Sequence, residues 1–223
     1  MIQPYYFRDG IEIFLGDCFS IMPQLDRKFD LILTDPPYGF NRFETDKKYY
    51  LEKISPSFKL WPKMLNEKAA AFVFTSTGQV LKVGNLIPLN FRRMLWLYKP
   101  ADCTYPLEGW LLKSEAILWF SMNGTSNFAE RHPFKHDCYI HKRVGMEGVE
   151  GHPTVKPLWV IKDLASRCPV GGSILDPFLG SGTTLVAAAE LKRQAVGIEI
   201  EEKYCEISVK RIEKVLNQQV LDL

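Results

Sequence analysis

A mostly parallel α/β sheet with helices on both faces is the fold class that the sequence predicts, on three observations. Short apolar runs ending in Gly, Pro or Asp recur along the chain, stretches long enough for helices separate them, and one run, "SILD", passes through a glycine loop into an Ala-rich helix. Strands joined through helices run parallel, because each crossover returns the chain to the same end of the sheet. With 223 residues, 46% of them hydrophobic, the chain can bury one sizeable core, and we read 1–223 as a single domain.

Each element has its own signal. "GIEIFLGD" alternates and stops at Gly16 and Asp17, "FDLILTDPP" is closed by prolines, and "AAAFVFTSTG" ends at Gly78, which predicts three strands. Between them "CFSIMPQLDRK" and "YYLEKISPSFKLWPKMLNEK" are long enough for crossover helices, with Pro23, Pro56 and Pro62 obscuring their limits. "RRMLWLYKP" and "EAILWFS", parted by the Gly- and Pro-bearing "ADCTYPLEGWLLKS", predict an antiparallel pair at a sheet edge. From Met122 to Gly151 the periodicity fades into an irregular polar insertion. Helical spacing returns at Val160, Ile161, Leu164 and Ala165. The strand "SILD", the Ala-rich helix, the buried strand "AVGIEI" and an amphipathic helix with Tyr204, Ile207, Ile212 and Val215 near one face complete the chain.

Composition narrows the class of protein. A net charge of +2 and a pI near 8.2 permit a polyanionic partner without indicating one, so local clustering must carry that argument. The five cysteines are scattered with no C-x-x-C pair, which argues against a disulfide framework and for a reducing compartment. The N-terminus lacks a basic start followed by an apolar segment, and no run approaches the roughly 18 apolar residues that span a bilayer. The expectation is a soluble, cytoplasmic protein.

Two stretches carry chemistry. "ILDPFLGSGTT" sets Asp176 at a strand end and Gly180 and Gly182 before a helix, where open α/β sheets bind cofactors. It matches neither the dinucleotide pattern nor a phosphate loop, and the missing lysine argues against a triphosphate. One strand later Glu199 is placed to accept hydrogen bonds from ribose hydroxyls, which points to a nucleoside-type cofactor. The plainer alternative is a tight strand-to-helix turn, with Glu199 capping the last helix.

The second stretch is "LTDPPYGF". Asp35 ends a buried strand, and Pro36 and Pro37 remove two amide donors while leaving carbonyls to accept. A carboxylate beside a free carbonyl suits an amine with two hydrogens, and the ring of Tyr38 can stack on a flat base. These parts fit methyl transfer to an exocyclic amine, although a proline-rich turn that only terminates a strand would read the same way.

Taken together, "TDPPYG" upstream and "HPTVKP", "ILDPFLGSGTT" and "GIEI" downstream closely resemble the S-adenosylmethionine-dependent DNA amino-methyltransferases, in the order of the β class. The resemblance leaves out roughly 102–150. It implies a circularly permuted Rossmann-like methyltransferase sheet whose first two strands lie at the C-terminus. It implies that Asp35, Pro36 and Tyr38 are catalytic, and that Asp176, Phe178, Gly180, Ser181, Gly182 and Thr183 surround the methionine end of S-adenosylmethionine. Glu199 would take the ribose, and Asp17 and Cys18 would line the adenine pocket, Asp17 also serving as a helix N-cap. Thr154 and Lys156 would meet the methionine carboxylate, unless Lys156 is a solvated charge at a helix start.

The same resemblance implies double-stranded DNA as substrate and extrusion of the target base. Asp-Pro-Pro-Tyr favours adenine N6 over cytosine N4. Span 102–150 would recognise sequence, with Arg131, Lys135, His136, Lys142 and Arg143 meeting phosphates or base edges, unless they form only a solvated loop. So short a recognition region suggests a homodimer, and the family suggests a bacterial or phage source and a cognate restriction enzyme. His132, His136, Cys138 and His141 fit no standard zinc spacing, so no metal is expected. Methylation of RNA and a catalytically silent DNA-binding or regulatory subunit are the competing functions; intact Asp35 and Tyr38 argue against the latter.

Overall fold

The computed structural model describes residues 2–37, 50–100, 110–124, 136–142 and 155–221. The chain opens with a hairpin, β1 (Tyr6–Arg8) and β2 (Ile11–Leu15), turned by Asp9 and Gly10. Both turn residues have positive φ, 49° and 79°, a geometry that matches the twist of the flanking strands. Helix α1 (Cys18–Ile21) is short because Pro23 lacks the amide an α-helix would need, and the chain tightens into a 3₁₀ turn over Met22–Gln24. Next come β3 (Phe29–Thr34), α2 (Tyr50–Phe58), α3 (Trp61–Met64) and β4 (Leu65–Ser76). Strand β4 begins earlier than its apolar run, since Asn66 Nδ2 donates to Asp30 Oδ1 at 2.8 Å and holds the polar start against β3.

Helix α4 (Val80–Leu86), β5 (Asn90–Tyr98), β6 (Ser114–Ser121) and β7 (Cys138–Ile140) follow. The C-terminal part consists of α5 (Leu158–Ala165), β8 (Ser173–Asp176), α6 (Thr183–Glu190), β9 (Gln194–Glu199) and α7 (Glu202–Leu221). All described strands join one sheet in the order β1-β2-β9-β8-β3-β4-β6-β5-β7. From β2 to β4 the pairing is parallel, and β6 runs antiparallel to β4 and β5. The last two strands therefore insert between the second and third, as a permuted chain requires.

Helices cover both faces. One core packs α5, α6 and α7 against Ile11, Ile13, Leu31, Leu33, Phe72 and Phe74. The other packs α1 to α4 against Phe14, Phe29, Ile32, Val73, Val196 and Ile198. Leu185 to Ala189 of α6 are all buried, and the small Ala side chains let this helix lie close to the sheet between its two neighbours. Among the described helices none is long and apolar enough to cross a membrane.

Strand β6 occupies the run "EAILWFS" that predicts it, and two expectations change. The stretch from Met122 to Gly151, read as irregular, contains β7, which pairs parallel to β5 from Trp96 opposite Cys138 to Tyr98 opposite Ile140. A strand of three residues is too short to show a period, so "CYI" was invisible within the polar stretch, and it removes β5 from the edge.

Gly197 on β9 tests how closely the second half of the chain packs. A Cβ there would lie 2.7 and 2.8 Å from the two δ-carbons of Leu179, which is itself buried. Gly197→Ala is expected to cost roughly 1–3 kcal/mol in urea unfolding. An unchanged midpoint would show that Leu179 has room to step aside.

Candidate active site at the carboxyl edge of the sheet

Strand order gathers acidic residues that are distant in sequence. Asp17, Glu199, Asp176 and Asp35 lie at or just beyond the ends of β2, β9, β8 and β3, which are consecutive in the sheet. In an open parallel sheet this edge is where ligands bind.

Asp176 is buried. Its Oδ1 accepts from Thr34 Oγ1 at 2.7 Å and from the Phe178 amide at 3.1 Å, and none of the described cations pairs with it. Burial pushes its pKa up to about 6, against the pull of hydrogen bonds from Thr184, Thr34 and Phe178. Glu199 is also buried and raised by desolvation, an effect opposed by backbone amides. Its Oε2 accepts from the Gly180 amide at 2.7 Å and its Oε1 from the Glu201 amide at 2.9 Å, so it joins the glycine loop to the start of α7. Two bonds leave this carboxylate with acceptor capacity for hydroxyl donors.

The glycine loop is gripped from α7. Gly180 and Gly182 take positive φ of 54° and 79°, and a Cβ on Gly182 would fall 2.6 Å from Ser208 Oγ. Ser208 Oγ donates to the Gly180 carbonyl at 3.0 Å. Arg211 donates to the Ser181 carbonyl at 2.5 Å, to Ser181 Oγ at 3.1 Å and to Thr183 Oγ1 at 3.0 Å. The Ser181 and Thr183 hydroxyls thus face α7. Phe178 packs edge-on against Phe58 of α2, with centroids 6.3 Å apart. Ser208 and Arg211 had escaped the sequence reading; their signal is a polar residue at 208 inside the buried stripe of Cys205 and Ile212.

At the far end of β2, Asp17 is exposed and caps α1, its Oδ1 accepting from the Phe19 amide at 3.0 Å. Cys18 is buried, and desolvation pushes its thiol up to about 12.

Asp35 and Lys156 form the other half of the site. Pro36 is buried, whereas the Asp35 side chain is 30% exposed. Lys156 Nζ lies 2.5 Å from Asp35 Oδ2 and 3.2 Å from Glu115 Oε2, and 5.4 Å from the centroid of the Phe74 ring. Lys99 Nζ meets Glu115 Oε1 at 2.5 Å. Burial alone would lower the Lys156 pKa, but the charges of Asp35 and Glu115 prevail and raise it. Burial likewise opposes ionisation of Glu115, yet Lys156 and Lys99 hold it down at about 2. The reading of Lys156 as a solvated charge is overturned, because its ammonium is buried between two carboxylates.

Tyr38, Thr154, Arg131, Lys135, Arg143 and His132 lie outside the described residues. His136 and Lys142 are exposed on either side of β7. His141 is buried, and its Nδ1 accepts from Trp159 Nε1 at 3.3 Å. Among the described residues no three His, Cys, Asp or Glu side chains gather as a metal site would need.

Asp176 makes a signed prediction. Its folded pKa of about 6 exceeds the unfolded value near 3.9, so stability falls as pH rises between them and the penalty is complete above pH 6. Asp176→Asn keeps an oxygen for Thr34 and Phe178. It is expected to gain on the order of 2–3 kcal/mol more stability at about pH 7.5 than at about pH 4, read by urea unfolding. Equal effects at both pH values would mean that the carboxylate is not strained.

Comparison with known proteins gives the family. A family model described as DNA methylase matches residues 29–210. The type II methyltransferase M.HinfI of Haemophilus influenzae is 39% identical over 245 residues, covering 91% of this chain and 68% of its own length. The type II methyltransferase M2.MboI of Moraxella bovis is 26% identical, covering 96% of this chain and 92% of its own. Among solved structures, the M1.HpyAVI-SAM complex superposes with a TM-score of 0.73 at 23% identity, covering 91% of this chain and 99% of that one. The PvuII DNA methyltransferase, cytosine-N4-specific, gives 0.75 at 15% identity, covering 97% and 94%. These structures share the fold. With the family model spanning both halves of the site, the chain belongs to the DNA methylase family.

Proposed function

We propose that this chain transfers a methyl group from S-adenosylmethionine to an exocyclic amine of a base in double-stranded DNA, with adenine N6 as the target. The observation that carries the reading is the pairing of two unlike sites on one edge: a glycine loop flanked by buried Asp176 and Glu199, and a part-exposed Asp35 beside buried Pro36.

The residues present fit the cofactor. Asp176 is a buried carboxylate with no described cation, which suits a ligand bearing positive charge, and Glu199 retains acceptor capacity for hydroxyls. Asp176, Phe178, Gly180, Ser181, Gly182 and Thr183 would hold the methionine end, Glu199 the ribose, and Asp17 and Cys18 the adenine. Thr154 would hold the methionine carboxylate. When bound, S-adenosylmethionine supplies an electrophilic methyl on a positively charged sulfur.

Asp35 and the Pro36 carbonyl do the rest by accepting the two amine hydrogens. An exocyclic amine spreads its lone pair into the ring, and two acceptors held to one side of it favour the pyramidal form, which localises the pair for in-line attack. After transfer the nitrogen carries a surplus proton, which passes to Asp35 or to water. Tyr38 would stack on the extruded base, since an amine inside the duplex is out of reach of the edge.

Adenine is favoured by Asp35-Pro36-Pro37-Tyr38, since the fold is shared with a cytosine-N4 enzyme and does not discriminate. His136 and Lys142, with Arg131, Lys135 and Arg143, would contact the DNA. A homodimer, a cognate restriction enzyme and a cytoplasmic site of action belong to the same reading, and the type II names of the relatives favour the restriction partner alone.

Incubation with labelled S-adenosylmethionine and unmethylated DNA, followed by nucleoside analysis, tests the reading. N6-methyladenine is expected, with label falling by about a hundredfold or more in Asp35→Ala. N4-methylcytosine would move the target base, and undiminished label in Asp35→Ala would sink the mechanism.

A further inference from the structure

Glu115, on β6, is three strands away from β8 in the sheet order and belongs to neither motif, yet it is half-buried, held ionised by two lysines and part of a row of alternating charge. The row follows the sheet order β3, β4, β6, β5: Asp35 after β3, the Lys156 ammonium over Phe74 of β4, Glu115 on β6, and Lys99 after β5. Leu97 is paired with Glu115 across the ladder, and the Lys99 amide donates to the Lys113 carbonyl at 2.7 Å, so Lys99 is fixed two residues beyond Leu97, on the face that Glu115 occupies.

Resting on the function proposed above, we propose that Glu115 is a positioning residue for methyl transfer: it shares the Lys156 ammonium with Asp35 and so sets how strongly Asp35 accepts the target amine. Three facts favour this. Lys156 approaches Asp35 at 2.5 Å and Glu115 at 3.2 Å, so the ammonium is shared between the two carboxylates and lies nearer Asp35. Lys99 takes the other oxygen of Glu115 and keeps the carboxylate from swinging toward Lys156. Lys156, finally, is directed at the acceptor half of the site, which differs from the cofactor-carboxylate role that the sequence motif implies.

The chemistry follows from Coulomb's law in a poorly solvated place. An undivided ammonium on Asp35 would draw its lone pairs away from the amine, and Asp35 with no cation would be free to turn. Dividing Lys156 between two carboxylates keeps Asp35 fixed while leaving it an effective acceptor. Glu115→Gln removes the charge and keeps the shape.

The test compares wild type, Glu115→Gln, Glu115→Asp and Asp35→Asn in methyl transfer to DNA, with binding of S-adenosylmethionine followed by calorimetry and folding by thermal unfolding. For Glu115→Gln the expected result is kcat lowered about tenfold or more with cofactor Kd within about twofold of wild type, and partial recovery in Glu115→Asp. Unchanged kcat overturns the proposal. So does a loss of kcat matched by an equal loss of cofactor affinity, which would place Lys156 on the cofactor. Should Glu115→Gln not fold, Glu115→Asp decides alone: an intermediate kcat at unchanged cofactor Kd supports the proposal, and full activity overturns it. Active wild type with dead Asp35→Asn and full-speed Glu115→Gln removes only this inference, whereas wild type inert on DNA removes the function beneath it.

Discussion

The hydrogen bond from Thr34 to Asp176, 2.7 Å long at the ends of β3 and β8, joins the two halves of the site. It exists because β8 pairs parallel to β3 in the register that sets Leu31 opposite Ile174 and Ile32 opposite Leu175. A slip by one residue would turn Asp176 to the opposite face of the sheet, toward the core that contains Leu175 and Val196, and break the present geometry of this bond. Register in turn is held by the apolar faces on either side, Leu31 and Ile174 against α5 to α7, Ile32 and Leu175 against α1 to α4. Hydrophobic burial thus sets the polar geometry of the edge, and the polar groups contribute position more than stability.

A similar dependence runs through α7. This helix packs beside α6 on the same face of the sheet and presents Ser208 and Arg211 to the glycine loop, so loop conformation is decided by a segment that follows it in the chain. Glycine at 182 is required twice over, by its positive φ and by the approach of Ser208. Two residues beyond Arg211, α7 is tied to the first strand, where Tyr6 donates to Glu213 at 2.7 Å and Arg8 also binds that carboxylate. The N-terminal hairpin therefore helps to fix the helix that grips the loop.

How much of this was legible in sequence depends on the range of the interaction. Asp176, Gly180, Gly182 and Asp35 were legible because each sits at a strand end marked by local punctuation, and the strand-helix alternation placed those ends on one edge. The β1 to β2 hairpin was equally local, written in Asp9-Gly10, and went unread because only three residues precede the turn as strand. The burial of Lys156 is not legible, since it comes from Asp35, Glu115 and Phe74, three partners at or on three separate strands, and no period or motif records such an encounter. Ser208 and Arg211 belong to the same class. A helical wheel gives the face of α7, and only the fold shows that the glycine loop lies against it.

The two halves of the edge bury charge in opposite ways, and the difference suits their tasks. Asp176 is surrounded by hydrogen-bond donors without a cation, so its ionised form is costly in the empty protein and is relieved by a cationic ligand. Asp35 has its cation built in, through Lys156, and that cation is itself held by Glu115. A group that binds a charged ligand gains from being left unsatisfied, because the relief is then part of the binding energy. In the proposed reaction, an acceptor that must stay still while a neutral amine arrives gains from being satisfied beforehand. Moving the ammonium from Asp35 to Asp176 would weaken both proposed functions at once.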